Sequence, residues 1–144
     1  MGVSRDYSRA VLEMEGPLTL AFLPYASGVA EMAADASVNG HELLVHMPME
    51  PMNGDLDMGG IALKTGQTPE EFATMLGKGL GAFTGYVGVN NHMGSRLTQD
   101  RDAMRRVMAE LHKRGLVTRQ AVEPTAVSVL GLTKKNAEAR RQHP

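Results

Sequence analysis

Three short apolar runs, separated by helical stretches, constrain this chain more than any other feature in it. Leu18-Thr-Leu-Ala-Phe-Leu23 closes at Pro24, Glu42-Leu-Leu-Val-His-Met47 closes at Pro48, and Tyr86-Val-Gly-Val89 runs into Asn90. Continuous apolar runs of four to six residues read as strands buried on both faces, the pattern of parallel strands. The stretches between them have helical signals. Residues 4–15 place Tyr7, Val11, Leu12 and Met14 at roughly helical spacing and stop at Gly16-Pro17. Residues 29–38 are alanine-rich and stop at Asn39-Gly40. Thr68-Pro-Glu-Glu71 is a capping box with proline at the first helical position, opening a helix that runs to about Phe83. Gly77, Gly79 and Gly81 weaken that helix by about 1 kcal/mol each relative to alanine, which points to close packing there. Residues 100–114 carry Met104, Val107, Met108 and Leu111 on one side and end at Gly115. Strand and helix in alternation predict an α/β fold.

Composition removes several function classes. The chain has 144 residues, about one domain's worth, and 15 Lys+Arg against 16 Asp+Glu leave no basic footprint for nucleic acid or an anionic membrane. No apolar run approaches the 18 or more residues of a membrane span. With zero cysteines there is no disulfide, no Cys-ligated zinc and no thiol nucleophile. The N-terminus lacks the basic-then-apolar pattern of a signal peptide, so the chain as written is expected in the cytoplasm. Residues 117–144 break the rhythm. Apolar positions 122, 127, 129, 130 and 132 leave a strand and a poor helix both open, and the basic stretch 134–144 is expected to be partly disordered.

Ligands in α/β folds collect at the carboxyl ends of the strands. Here those ends carry Pro24-Tyr25, then His46-Met-Pro-Met-Glu50, then Asn90-Asn-His-Met-Gly-Ser95. Residues 47–67, with two Pro, four Gly and four Met and no clear period, form a long loop of the kind that is usually functional. Met47, Met49, Met52 and Met58 suit a copper site or, more simply, pliable lining. His41-Glu-Leu-Leu-Val-His46 misses the helical zinc motif HExxH by one residue. On a strand, the odd separation sends His41 and His46 to opposite faces, and the strand end favours His46 as the site residue. Glu50 is an even step from His46. From the residues alone, His46 and His92 read either as structural hydrogen-bonding histidines or as a metal pair. His112, near a helix C-terminus, and His143, in the tail, read as solvated.

The segments Leu18-Thr-Leu-Ala-Phe-Leu-Pro-Tyr-Ala26, Gly40-His-Glu-Leu-Leu-Val-His-Met-Pro-Met-Glu-Pro51 and Gly85-Tyr-Val-Gly-Val-Asn-Asn-His-Met-Gly-Ser95 resemble the divergent polysaccharide deacetylase family, in order and spacing, over most of residues 2–116. The resemblance implies a deformed (β/α) barrel and a divalent metal, often zinc, used to remove N-acetyl groups from a polysaccharide or oligosaccharide. It implies His46, His92 and Glu50 as metal ligands, His92 as the catalytic group, and Tyr25, Asn90, Asn91 and Ser95 as substrate contacts. His41 and Glu42 fall at positions that look structural. The chemistry implied is hydrolysis of an acetamide, with the ion as Lewis acid on the developing oxyanion. Two departures accompany the resemblance. The family's opening strand with its Asp-Asp-x-Gly acids is matched only by Met1-Gly2, and the family-like strand after Gly115-Leu116 is replaced by Val117-Thr-Arg-Gln-Ala121. A late start codon and a frameshift near Val117 would account for both. The expectation is therefore a partial deacetylase-like domain over 1–116, an incomplete barrel lacking its first strand and C-terminal units, and a divergent segment over 117–144. Weak or absent activity follows, with a non-catalytic carbohydrate-binding or degenerate chain as the alternative and a metal phosphohydrolase as a further rival.

Overall fold

The computed structural model describes residues 1–2, 4–117 and 129–133. In chain order the elements are α1 (Arg5–Leu12), β1 (Thr19–Phe22), α2 (Val29–Val38), β2 (Glu42–Met49), α3 (Pro69–Leu80), β3 (Gly88–Met93), a 3-10 turn (Leu97–Gln99), α4 (Arg101–Lys113), β4 (Leu116–Val117) and β5 (Val129–Thr133). The fold is mixed α/β, as the alternation predicts. The sheet order is β1-β2-β3-β5-β4. β1, β2 and β3 are parallel, and β5 runs antiparallel to both β3 and β4. Residues 129–133, left open between strand and helix, form a strand. Positions 122 and 127, the stretch 134–144 and His143 lie outside the described residues.

Local chemistry sets the helix ends. Thr68 Oγ1 accepts from the Glu71 N–H while Glu71 Oε2 accepts from the Thr68 N–H, so the capping box is closed both ways. Asp100 caps α4 by accepting from the Asp102 and Ala103 N–H groups. Gly115 follows that helix at φ 72°, where only glycine sits without steric cost.

Two strands extend beyond their apolar runs. β2 passes through Pro48 to Met49; because β1 stops at Phe22, the side of Pro48 without a donor faces the 50–66 loop, where its carbonyl accepts from Leu63 N–H. β3 starts at Gly88 and continues through the polar Asn90-Asn91-His92, because its pairing with β2 holds from Leu44↔Gly88 to Met49↔Met93. Pairing with a neighbouring strand overrides the local polarity.

The two-residue period of the strands then divides the sheet. Leu43, Val45, Met47 and Met49 join Leu20, Phe22 and Val89 in one core with residues of α1, α2, α3 and α4. His46 and Pro48 belong to the opposite parity, and in register they stand beside Asn90 and His92. Helices thus cover one face, and His46, Asn90 and His92 gather on the other.

Of the α3 glycines, Gly79 is the one at a close approach. A Cβ there would overlap Met47 Sδ and lie 2.7 Å from its Cε, whereas nothing stands within 4 Å of one at Gly77. Met47 is 0% exposed, so it can yield only by displacing core neighbours. Gly77→Ala is expected to stabilise by up to about 1 kcal/mol through helix propensity. Gly79→Ala is expected to fall about 1–3 kcal/mol below it through overpacking. Thermal denaturation of the two variants side by side measures that order.

Candidate functional site

His46 and Asn90 are direct cross-strand partners, and His92 lies two residues further along the same face. His46 Nδ1 is 2.9 Å from Asn90 Oδ1, and His46 Nε2 is 3.1 Å from His92 Nδ1. An amide oxygen only accepts, so Nδ1 of His46 carries the proton and its Nε2 presents a lone pair. His92 Nδ1–H then donates to that lone pair. The rings meet edge-on, with centroids 4.8 Å apart.

Both imidazoles titrate below their ordinary value. For His46 the largest cause is burial, opposed by the Asn90 bond and reinforced by the charge of His92 and of the N-terminal ammonium. For His92 burial again leads, followed by the N-terminal ammonium. At neutral pH the pair is uncharged and basic at nitrogen, the state a metal requires.

Two nitrogens bonded to one tetrahedral ion at roughly 2.0–2.1 Å lie roughly 3.3 Å apart. The 3.1 Å separation of His46 Nε2 and His92 Nδ1 fits that edge with a small opening of the pair. The Asn90 bond to the far nitrogen of His46 is the outer contact that metal-ligating histidines commonly make. Two imidazoles are two ligands. Among the described residues, no group of three or more His, Asp and Glu is placed to hold an ion.

Glu50 is not brought into the pair. Its Oε2 accepts from both the N–H and the hydroxyl of Thr65, each at 2.7 Å, and Arg96 Nε lies 3.8 Å from Oε1. Burial alone would raise its pKa, but the two Thr65 bonds and the Arg96 and Lys64 charges hold it below the ordinary carboxylate value. Its backbone is equally engaged: the N–H donates to Leu63 O, and the carbonyl accepts from Arg96 and Leu97 N–H. Glu50 therefore ties both ends of the 50–66 loop to the sheet.

Tyr25 and Ser95 also meet that loop. The Tyr25 ring packs on Gly59, whose φ is 76° and where a Cβ would sit 2.5–2.8 Å from ring carbons. Ser95 Oγ accepts from Met52 N–H at 2.9 Å. Asn91 points to the helix-covered side, donating to Met93 O at 2.7 Å across a turn where Met93 takes φ 58°. Asn91 Oδ1 is buried and has no hydrogen-bond partner. Asp57 accepts from Gly59 N–H within the loop. Met47 and Met49 are core residues at 0% exposure, so the four loop methionines do not share one environment.

His41 sits where the parity argument puts it, away from the pair. It is 5% exposed, with Nδ1 accepting from Leu18 N–H and Nε2 donating to Leu12 O. Thr65 and Arg96 have no local signal in the sequence: their importance comes from loop closure onto Glu50.

A sheet with helices on one face, and a histidine pair on the other where two parallel strands end, defines an α/β protein with its site at the usual ligand position of such sheets. The sequence matches the divergent polysaccharide deacetylase family over residues 1–132, and the chain belongs to that family. It is 32% identical over 106 residues to the uncharacterized protein YibQ of Escherichia coli K12, covering 74% of this chain and 33% of that one. It is 28% identical over 108 residues to an uncharacterized protein of Haemophilus influenzae, covering 74% and 38%. The crystal structure of the uncharacterized protein ATU2773 from Agrobacterium tumefaciens C58 superposes with a TM-score of 0.77 at 27% identity, covering 85% of this chain and 52% of that one. The chain thus spans about a third of the length of the curated relatives it matches.

Proposed function

We propose that the chain takes part in metal-dependent removal of N-acetyl groups from a sugar polymer, with His46 and His92 holding a divalent ion, zinc in the first instance. One observation carries this reading: two ring nitrogens converge to 3.1 Å where adjacent parallel strands end, with the outer nitrogen of His46 already engaged by Asn90, and His92 Nδ1 turns from donor to ligand when its proton sits on Nε2 instead. Family membership supports the substrate class. A bound divalent ion supplies Lewis acidity to an amide carbonyl and its developing oxyanion. The chain's own residues do the rest. His46 and His92 hold position on paired strands, Asn90 fixes the His46 ring, and Tyr25, Ser95 and Glu50 shape the loop beside them. His92 can also move a proton at Nε2, the nitrogen that faces away from His46. On this reading the three parallel strands are part of a deformed (β/α) barrel, which the one-sided helix layer supports.

Among the described residues two imidazoles converge with no third His, Asp or Glu beside them, and turnover is expected to be slow. The test is acetate release from N-acetylated oligosaccharides with zinc present. Slow, zinc-dependent release that His46→Ala and His92→Ala each abolish is the expected result. Zinc-independent sugar binding with no acetate would favour a non-catalytic carbohydrate-binding chain. Phosphate release from phosphorylated sugars without acetate would favour a phosphohydrolase.

A further inference from the structure

Asn90 is 7% exposed, so its amide is removed from solvent and spends its oxygen on one partner, His46 Nδ1 at 2.9 Å. The contact is set by the sheet itself, because Asn90 and His46 are in register across β2 and β3. A free imidazole exchanges its single proton between two nitrogens, and only one tautomer leaves Nε2 bare. A buried acceptor at Nδ1 selects that tautomer and locks the ring plane.

We infer that Asn90 is the positioning residue of the site, holding His46 Nδ1–H so that the Nε2 lone pair points toward His92 and the space between them. Asn90 acts through His46. An uncharged amide in this place raises the basicity of His46 less than a carboxylate does, so His46 is presented as a weakly polarised neutral ligand. A substitution to aspartate keeps the acceptor and adds charge, strengthening the ligand, while alanine removes the acceptor and frees the ring. The inference rests on the reading of His46 as a ligand, but the tautomer can be read without any ion.

The experiment uses the metal-free full chain, with ¹⁵N-labelled histidine and long-range ¹H–¹⁵N correlation spectra at neutral pH, followed by zinc titration of the same samples. Wild type is expected to show His46 protonated at Nδ1 and bare at Nε2. Asn90→Ala leaves His92 as the ring's one partner, so it is expected to weaken that preference and to bind zinc about 10–100-fold more weakly, the usual cost of an outer partner. Asn90→Asp is expected to keep the Nδ1–H tautomer and to bind zinc at least as tightly as wild type. Should Asn90→Ala fail to fold, Asn90→Ser, which keeps a polar group too short to reach the ring, makes the same comparison. A wild-type His46 protonated at Nε2, as an amide turned to donate through Nδ2 would produce, overturns the inference. So does an alanine or serine variant with tautomer and zinc affinity unchanged. If wild type binds no zinc at all, the metal reading fails, and the tautomer comparison still decides the role of Asn90.

Discussion

Phe22→Ala is expected to cost about 3–5 kcal/mol of stability, a large share of the roughly 5–15 kcal/mol that holds a typical domain together. The chain has three phenylalanines and no tryptophan, so each aromatic ring carries an unusual share of the core volume. Phe22 is 0% exposed on β1 and meets Phe83 edge-on at 5.8 Å, and Phe83 meets Tyr86 edge-on at 5.7 Å. These contacts tie the first parallel strand to the segment entering β3, which connects β1 to the strand carrying His92. Alanine at 22 leaves a cavity and also removes the ring pair, itself worth about 0.5–1.5 kcal/mol. Phe22→Leu, which keeps most of the volume, is expected to lose considerably less. Urea denaturation of the three proteins, with midpoints compared at constant slope, measures both losses.

The second large effect is in zinc binding and its pH dependence. Both histidines titrate below their ordinary value because burial disfavours the charged ring, so the neutral, ligating form dominates at pH 7, and loss of zinc affinity on acidification is expected to begin at a lower pH than for unperturbed histidines. Below their folded-state values two protons compete with each ion, and affinity is expected to fall by roughly 100-fold per pH unit. Histidines at their ordinary value would begin to lose zinc as soon as the pH reached 6.5. The same shifts have a stability consequence in the metal-free chain. The unfolded state binds protons more readily, so the two histidines' contribution to stability is full above their unfolded-state value, is lost as the pH falls toward the folded-state values, and changes no further below them. A zinc titration series from pH 8 to 5 measures the binding part, and metal-free urea curves over the same range measure the stability part.

The elements were legible wherever the signal was local. Thr68 and Glu71 announce the start of α3 because a capping box closes within four residues, and Asp100 and Gly115 bracket α4 for the same reason. The separation of His41 from His46 also followed from strand parity alone, since that argument needs one strand and no neighbour. What could not be read was contact between distant segments. His46 meets Asn90 across 44 residues of sequence because the β2–β3 register aligns them, and register depends on packing of the whole sheet. Glu50 finds Thr65 across 15 residues of loop with no periodicity to project from. The strand character of Asn90-Asn91-His92 was hidden by their polarity, which only pairing to β2 overrides. His46 and His92 could be named from their strand-end positions and the family resemblance; their mutual geometry required the fold.

Zinc titration by calorimetry at pH 7.5 decides whether His46 and His92 together hold a divalent ion. Wild type is expected to bind one zinc per chain. Loss of either histidine should reduce affinity by more than the roughly 10–100-fold that loss of an outer partner costs, and His46→Ala/His92→Ala together should abolish binding at that stoichiometry. An unchanged one-to-one isotherm in the double variant would contradict that joint role.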